Sequence, residues 1–402
     1  MEIFKKHPQW NDVKKICTKL HGNGYTAWLA GGCVRDGLLG IMPKDFDIAT
    51  NARPKKVESF FNKTVDVGKA FGVIRVIEAS GDIEVATFRK DGSYTDGRRP
   101  DSVELATPQE DAKRRDFTIN ALFYDIFEGE VHDFVNGMVD LKSRIIRTVG
   151  LPEDRFLEDK LRIIRAVRFV SQLDFQLDKS TYDVITKFSQ TITTVSWERI
   201  SDELEKLLSG IRPDRGLELL QDSGLLDVIF PELIYDSKIV DYLKNTTGDS
   251  DQVILGWLFL FSLIQNADDH AKIFKRLKFS NEKAQSIATT LEIATSLLIF
   301  DRLNTPDKKK TAAENRTETA IKFLDIQNKI QPEILQYVKA NRILPKPLIE
   351  AADLMSLGLK PGKTLGESLQ KAFDAQLENE FTHKGEILTW IKQNLIVKPP
   401  DN

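Results

Sequence analysis

A change of texture near residue 150 limits what this chain can fold into more than any other feature. Before it, short apolar runs alternate with glycine turns; from Pro152 onward nearly every apolar spacing is helical. The runs "YTAWLAGG", "DFDIAT", "FGVIRVIEAS" and "DIEVATFRK" read as strands, the last two joined at Ser80-Gly81. "ALFYDIFEGEVHDFV" reads as a hairpin around Glu128-Gly129. Residues 10–22, "CVRDGLLG", "PKKVESFFN" and the stretch opening "PQEDAKRRD" read as helices, the last begun by a proline and acids. The expected fold class is therefore α+β: a head with a mixed, mostly antiparallel sheet, followed by an all-α remainder. Within that remainder "FDRLNTPDKKKTAAEN" (300–315) reads as an exposed linker or loop. "LGLKPGKTLG" (357–366) reads as a break, with a helix from about Thr364.

With 402 residues the chain exceeds one ordinary core. At 41% hydrophobic and 29% charged residues, its composition is that of a soluble globular protein. "VILGWLFLFSLI" (253–264) is too short to span a bilayer and reads as a buried helix. "MEIFKKHPQW" lacks the apolar centre of a signal peptide. Cys17 and Cys33 make neither a disulfide framework nor a zinc spacing. A cytoplasmic protein is expected. A net charge of −3 argues against a histone-like coat on nucleic acid. It leaves room for a local basic groove, since fields depend on where charges sit. Basic clusters lie at "GRRP" (97–100), at "KRRD" (113–116) and between Lys142 and Arg168.

"MPKDFDIAT" (42–50) puts Asp45 and Asp47 on alternate positions, interleaved with Phe46 and Ile48. On a strand the two carboxylates would face the same way and repel, so a cation is wanted between them. Upstream, "LAGGCVRD" sets Gly31 and Gly32 between a strand and a helix, where backbone N–H groups can approach a phosphate. Magnesium is typically held by one or two carboxylates plus substrate phosphates, and two such ions can clamp an in-line phosphoryl displacement. Asp45 and Asp47 fit that role. Glu84, mid-strand in "DIEVATF", is a candidate third acid, as metal ligand or base. An EF-hand is excluded, because the third acid, the glycine and the distal glutamate are missing. Taken singly, a Gly-Gly also fits an ordinary turn, and D-x-D a solvated strand face.

The run "LAGGCVRDGLLGIMPKDFDIAT" resembles the first signature of the class II tRNA nucleotidyltransferase and bacterial poly(A) polymerase family, within the polymerase-beta-like nucleotidyltransferase superfamily. "TFRKDGSYTDGRRPDSV", "RRDFTINAL", "RFLEDKLRIIRAVRF" and "VSWERISDELEKLL" follow in the family's order. "RLKFSNE" and "GLKPGKTLGESL" extend the likeness more weakly to the C-terminus. The resemblance implies a Mg²⁺-dependent enzyme, with two ions on Asp45 and Asp47, that adds nucleotides to an RNA 3′ end. It implies a catalytic head (1–140), a helical neck with a nucleotide-selecting helix (141–210), a helical body (211–300) and a tRNA-binding tail (301–402). The lead expectation is template-independent addition of C, C and A to tRNA from CTP and ATP. A-only addition, bacterial poly(A) synthesis and an inactive RNA-binding relative are the alternatives. Oligomeric state is left open.

"RRDFTINAL" brings Arg115, Asp116 and Asn120 near one helix, the last two sharing a face. Arg115 suits triphosphate oxygens and Asn120 a ribose hydroxyl. The family assigns this motif to nucleotide binding, and Arg35 of the glycine run joins the same set. The motif alone also fits a capping cluster with a surface Arg pair. "RKDGSYTDGRRPD" (89–101) reads as a basic lid, and in the family a flexible loop here accompanies the switch from C to A addition. "DRFLEDKLRIIRAVRF" reads as one helix with Arg155, Glu158, Asp159, Arg162 and Arg165 in a stripe. A carboxylate only accepts and a guanidinium only donates. Asp159 and Arg162 would thus admit the amino group and ring nitrogen of cytosine or adenine and refuse uracil and guanine. Glu158 would brace Arg162. The family carries its nucleotide-selecting motif at these three positions. Arg165 and Arg168 would meet RNA phosphates or triphosphate. Arg199 supports the pocket or neck by resemblance, or pairs with Glu198 or Glu203. His270 reads as a surface histidine.

Overall fold

In a computed structural model the described residues are 1–68, 71–92 and 102–395. They divide into two compact units, residues 1–248 with 272–279, and residues 249–271 with the chain from 280 onward. The first unit opens with α1 (Trp10–His21), β1 (Ala27–Ala30), α2 (Gly32–Leu38), β2 (Asp47–Thr50) and α3 (Pro54–Phe60). Strands β3 (Thr64–Gly68), β4 (Val73–Glu78), β5 (Gly81–Thr87), β6 (Arg89–Asp91) and β7 (Val103–Leu105) follow. Then come α4 (Pro108–Lys113), β8 (Leu122–Asp125), β9 (Glu130–Asp133), α5 (Gly137–Ser143) and β10 (Ile145–Ile146). The helical part of this unit begins with α6 (Pro152–Glu158) and α7 (Leu161–Leu173). It continues through β11 (Gln176–Leu177), α8 (Lys179–Phe188) and α9 (Trp197–Leu208).

Seven strands form one sheet in the order β3-β4-β5-β2-β1-β8-β9. Its pairings are antiparallel except that of β2 with β5. The register sets Arg75, Glu84, Asp47 and Ala30 in one row across β4, β5, β2 and β1. Such partners share a face, so the row carries both acids to the same side. Phe88 and Phe123 centre one core cluster, against Ala30, Ala49, Ala112, Ala121 and Val149. A second cluster forms around Phe46, which is 1% exposed and lies between the two aspartates. Phe4, His7 and Trp10 bring ring centroids to 5.3, 5.0 and 5.9 Å from it. Gly37 of α2 faces Phe4 so closely that any Cβ there would overlap the ring.

Several expected elements differ in extent. Asp45 lies in a bend ahead of β2, and only Asp47 belongs to the strand. The helix opened by "PQEDAKRRD" is a short one. Thr107 caps it in a reciprocal box with Glu110, and it ends at Lys113. Asp116 and Asn120 are therefore not on a helical face. Asn120 ends a 3-10 turn (Thr118–Asn120) that leads directly into β8. Residues 93–101, most of the expected lid, fall outside the described residues.

In the second unit Trp257, Phe259 and Phe261 bury the helix Gln252–Ser262, as its all-round apolarity requires. The stretch 300–315 is not a loop: a 3-10 turn (Phe300–Arg302) precedes a helix over Thr305–Ala313. Asn304 Oδ1 accepts from Asp307 N at 2.8 Å, and Pro306 sits in the first turn. Asn-Thr-Pro-Asp is a cap followed by an N-terminal proline, and its turn-like composition hid the start. The helix expected from Thr364 begins at Lys363. His270 is half-buried rather than on the surface, its ring edge-on to Phe261 and one ring nitrogen 3.2 Å from the Phe261 carbonyl oxygen. Among the described residues no helix is long and apolar enough to cross a membrane.

The fully buried Phe4 joins the Phe46 ring to α2, so Phe4→Ala should leave a void the size of the ring. We expect a loss of about 3–5 kcal/mol in urea unfolding with an unchanged slope. An unchanged midpoint would show that the N-terminal turn is not part of this core.

Candidate active site

Gly31 has φ 76° and ψ −130°, a conformation that disfavours any side chain. Its N–H donates to the Leu122 carbonyl at 3.0 Å. A Cβ there would also stand 3.0 Å from a terminal nitrogen of Arg115. Strand β1 therefore passes into α2 through a turn that brings a guanidinium against bare backbone, and Gly32 starts the helix. Beside it, Asp47 is exposed at the start of β2. Partial burial, then the charge of Asp45, then that of Glu84 push the Asp47 carboxyl up to about 6, while Arg115 opposes the rise. The neighbouring carboxylates thus disfavour the charge on Asp47. Glu84 contributes to that field but is engaged by Arg75, whose Nε and a terminal nitrogen donate to Glu84 Oε1 at 3.0 and 2.9 Å.

Among the described residues no three His, Cys, Asp or Glu side chains converge to hold a metal ion. Two mutually repelling carboxylates beside a glycine turn do fit a hard divalent cation whose other ligands are phosphate and water.

Behind this edge the arginines are fixed by acids. Asp116 accepts from Arg165 Nε and a terminal nitrogen at 2.9 and 2.5 Å, from Phe117 N at 2.8 Å and from Asn120 Nδ2 at 3.3 Å. Burial alone would raise the Asp116 carboxyl, but the charge and hydrogen bonds of Arg165 outweigh it and hold the group far below the carboxylate range. Asn120 is 7% exposed, and its Oδ1 accepts from Arg35 at 2.6 Å. Arg115 donates to Asp111 Oδ2 from Nε and a terminal nitrogen at 3.2 and 3.1 Å, and to the Asn120 carbonyl at 3.2 Å. Arg35, Arg165 and Arg168 surround the ring of Phe169, their guanidinium carbons 5.2, 5.7 and 3.8 Å from its centroid. Glu203 of α9 pairs with Arg168 at 2.7 Å and lies 4.0 Å from Arg165. Burial, and then the neighbouring Arg165, lower the Arg168 guanidinium to about 10. Such crowding of positive charge suits a polyphosphate.

The expected template helix is two helices. The chain leaves the helix at Asp159, which is extended (φ −146°, ψ 106°), and α7 starts at Leu161. Asp159 Oδ1 accepts from Leu161 N at 3.0 Å, an Asx turn that a continuous helix would forbid. Asp159 Oδ2 accepts from Arg199 at 2.8 Å, so Arg199 pairs with Asp159 and not with Glu198 or Glu203. Arg162 donates to Glu158 at 2.5 Å, to the Arg155 carbonyl at 3.1 Å and to the Arg114 carbonyl at 3.3 Å.

Residues 27–147 match the family described as Poly A polymerase head domain, and residues 174–236 the one described as probable RNA and SrmB-binding site of polymerase A. The CCA-adding enzyme of Ligilactobacillus salivarius is 35% identical over 377 residues, 89% of each chain. That of Lactococcus lactis subsp. cremoris is 33% identical, over 98% of this chain and 99% of its own. The chain belongs to the CCA-adding enzyme family. The crystal structure of the Bacillus stearothermophilus CCA-adding enzyme in complex with CTP superposes with a TM-score of 0.82 at 29% identity, covering 96% of this chain and 98% of the other.

In this member of the CCA-adding enzyme family, Asp111 and Phe169 are site residues, and Arg199–Asp159 a pairing, beyond those expected from the sequence. Asp111 lies three and four residues before Arg114 and Arg115, a spacing that could have revealed it. Phe169 and the Arg199–Asp159 pair have no comparable signal.

A carboxyl raised when folded binds more protons than in the unfolded chain. Its stabilising effect is complete below pH 3.8 and is lost as pH rises to about 6. In metal-free calorimetry, Asp47→Asn should therefore gain stability over the parent across that window and keep the gain above it. Millimolar Mg²⁺ at pH 7.5 should raise the melting temperature of the parent and not of the variant. Equal Mg²⁺ shifts in both would remove Asp47 from the cation site.

Proposed function

We propose that this chain adds C, C and A in turn, from CTP and ATP and without a nucleic-acid template, to the 3′ end of tRNA. The single observation that carries the reading is one continuous arrangement. It runs from the Asp45/Asp47 edge and the Gly31 turn, through the arginines on Phe169, to the Asp159–Arg162 turn. The tRNA 3′-hydroxyl oxygen attacks the α-phosphorus, its proton leaves, and the bond to pyrophosphate breaks. When bound, two Mg²⁺ ions on Asp45 and Asp47 would supply charge neutralisation to the attacking and leaving oxygens.

The chain's own groups bind and orient. The bare backbone of Gly31 lets the triphosphate approach the Gly32 N–H, and Arg35 and Arg115 receive it there, while Arg165 and Arg168 add positive charge behind it. Asp116 holds Asn120 and Arg165, and the Asn120 amide, with a second hydrogen on its nitrogen, reaches the ribose. Asp159 accepts from the exocyclic amino group of cytosine or adenine, and Arg162, braced by Glu158, donates to the ring nitrogen. Glu84, engaged by Arg75, contributes negative charge to the catalytic edge and is the further acid candidate. We assign residues 1–140 to the catalytic head, 141–210 to the neck, 211–300 to the body and 301–402 to the tail that grips tRNA. We assign the reaction to the cytoplasm, the compartment expected from two unpaired cysteines, Cys17 and Cys33.

Primer extension on tRNA ending at the discriminator base, at C and at CC, with CTP and ATP given separately, tests the product. Extension at all three in the order C, C, A is expected; activity on the CC end alone would mean A addition, and long adenosine tails on any RNA would mean poly(A) synthesis. Asp47→Ala should abolish incorporation while leaving tRNA binding largely intact, and retained activity would overturn the assignment of the carboxylate edge. Asp159→Asn should lower discrimination against UTP by about 10- to 100-fold, the worth of one charged hydrogen bond, in ratios of kcat/KM.

A further inference from the structure

Asp111 carries none of the roles above, yet it is 2% exposed on α4 and surrounded by arginines. Its two oxygens serve different partners. Oδ1 accepts from Arg114 Nε and a terminal nitrogen at 2.9 and 2.7 Å, and from the Arg89 backbone N–H at 3.2 Å. Oδ2 accepts from Arg115 along its Nε edge at 3.2 and 3.1 Å. The other terminal nitrogen of Arg115 is thereby turned toward the Asn120 carbonyl and the bare backbone of Gly31. The face of the same guanidinium lies 4.9 Å from the Phe123 ring centroid, so edge and face are both fixed. Arg114 Nε also donates to the Arg89 carbonyl at 3.1 Å, which fastens the first residue of β6 to the same carboxylate.

We infer that Asp111 is a positioning residue for nucleotide binding: one buried carboxylate aims Arg115 at the glycine turn and pins the start of β6 to the same point. The inference rests on the reading of Arg115 as a triphosphate ligand. A long side chain held in its working rotamer before the nucleotide arrives need not be ordered by the nucleotide itself. Asparagine at 111 could offer an oxygen to one arginine only, since its amide nitrogen would face the other as donor against donor.

The test is steady-state kinetics on a tRNA primer for Asp111→Asn, Arg115→Ala and the double variant, with urea unfolding of each. Asp111→Asn should raise KM for both CTP and ATP about tenfold, with kcat changed by about threefold or less. It should add nothing in the Arg115→Ala background, because groups acting as one unit are not additive. A merely structural role would lower the unfolding midpoint without this split, and its effect would persist in the double variant. If Arg115→Ala leaves KM unchanged, Arg115 is no triphosphate ligand and both readings fall. If Arg115→Ala raises KM while folded Asp111→Asn does not, or if the two effects add, only the positioning role falls. Should Asp111→Asn fail to fold, Asp111→Glu keeps the charge and displaces the carboxylate by one methylene. It should show the same KM signature, and an unchanged KM would overturn the inference.

Discussion

The ion pair between Asp116 and Arg165 is the fastening on which the site depends. Asp116 leads into the 3-10 turn before β8, and Arg165 lies on α7, so the pair ties the sheet to the helix that faces it. Asp116 is largely withdrawn from water while the Arg165 side chain keeps 31% exposure, so removing one partner leaves the other charge partly buried and unpaired. Everything between them is arranged around charge. Asp111, Asp116 and Glu203 each hold more than one cationic or N–H group. An isolated guanidinium buried at this depth would be costly. Held by a shared acid, several of them can be kept side by side, an arrangement whose charge suits a polyphosphate.

The turn at Asp159 is built on a different principle. An uninterrupted helix would have left Asp159 on a regular surface among its helical neighbours. The break after Glu158 frees the Asp159 backbone, lets its side chain cap α7, and exposes its second oxygen to Arg199. The turn proposed to read the base is thus short, irregular and braced from both sides, a rigid support for a hydrogen-bond readout.

Much of this was legible in the sequence, for physical reasons that differ by element. The strands β1, β2, β4, β5, β8 and β9 follow from alternation and glycine punctuation, and the change to helix after Pro152 from apolar period. The carboxylates and the Gly31 turn were visible because their chemistry needs short local spacing. The helix over Thr305–Ala313 was hidden because a cap and a helix-initiating proline have the composition of a loop. The division at Asp159 was hidden because helical period continues across it, and only the Asx hydrogen bond distinguishes the two cases. Asp159–Arg199 and Asp116–Arg165 join residues 40 and 49 positions apart, which no local pattern encodes.

Those same separations order events as the chain is synthesised. The glycine turn, the carboxylates and their partner strand β5 all lie before residue 90, and β8 has paired with β1 by Asp125. Arg199 and Glu203, which hold Asp159 and Arg168, emerge only some 75 residues later. Both segments belong to one compact unit, and domains generally fold as units during translation, so the sheet edge reaches its final setting only with α9 in place. The cluster of acids and arginines around Phe169 is therefore complete only once α9 has been synthesised.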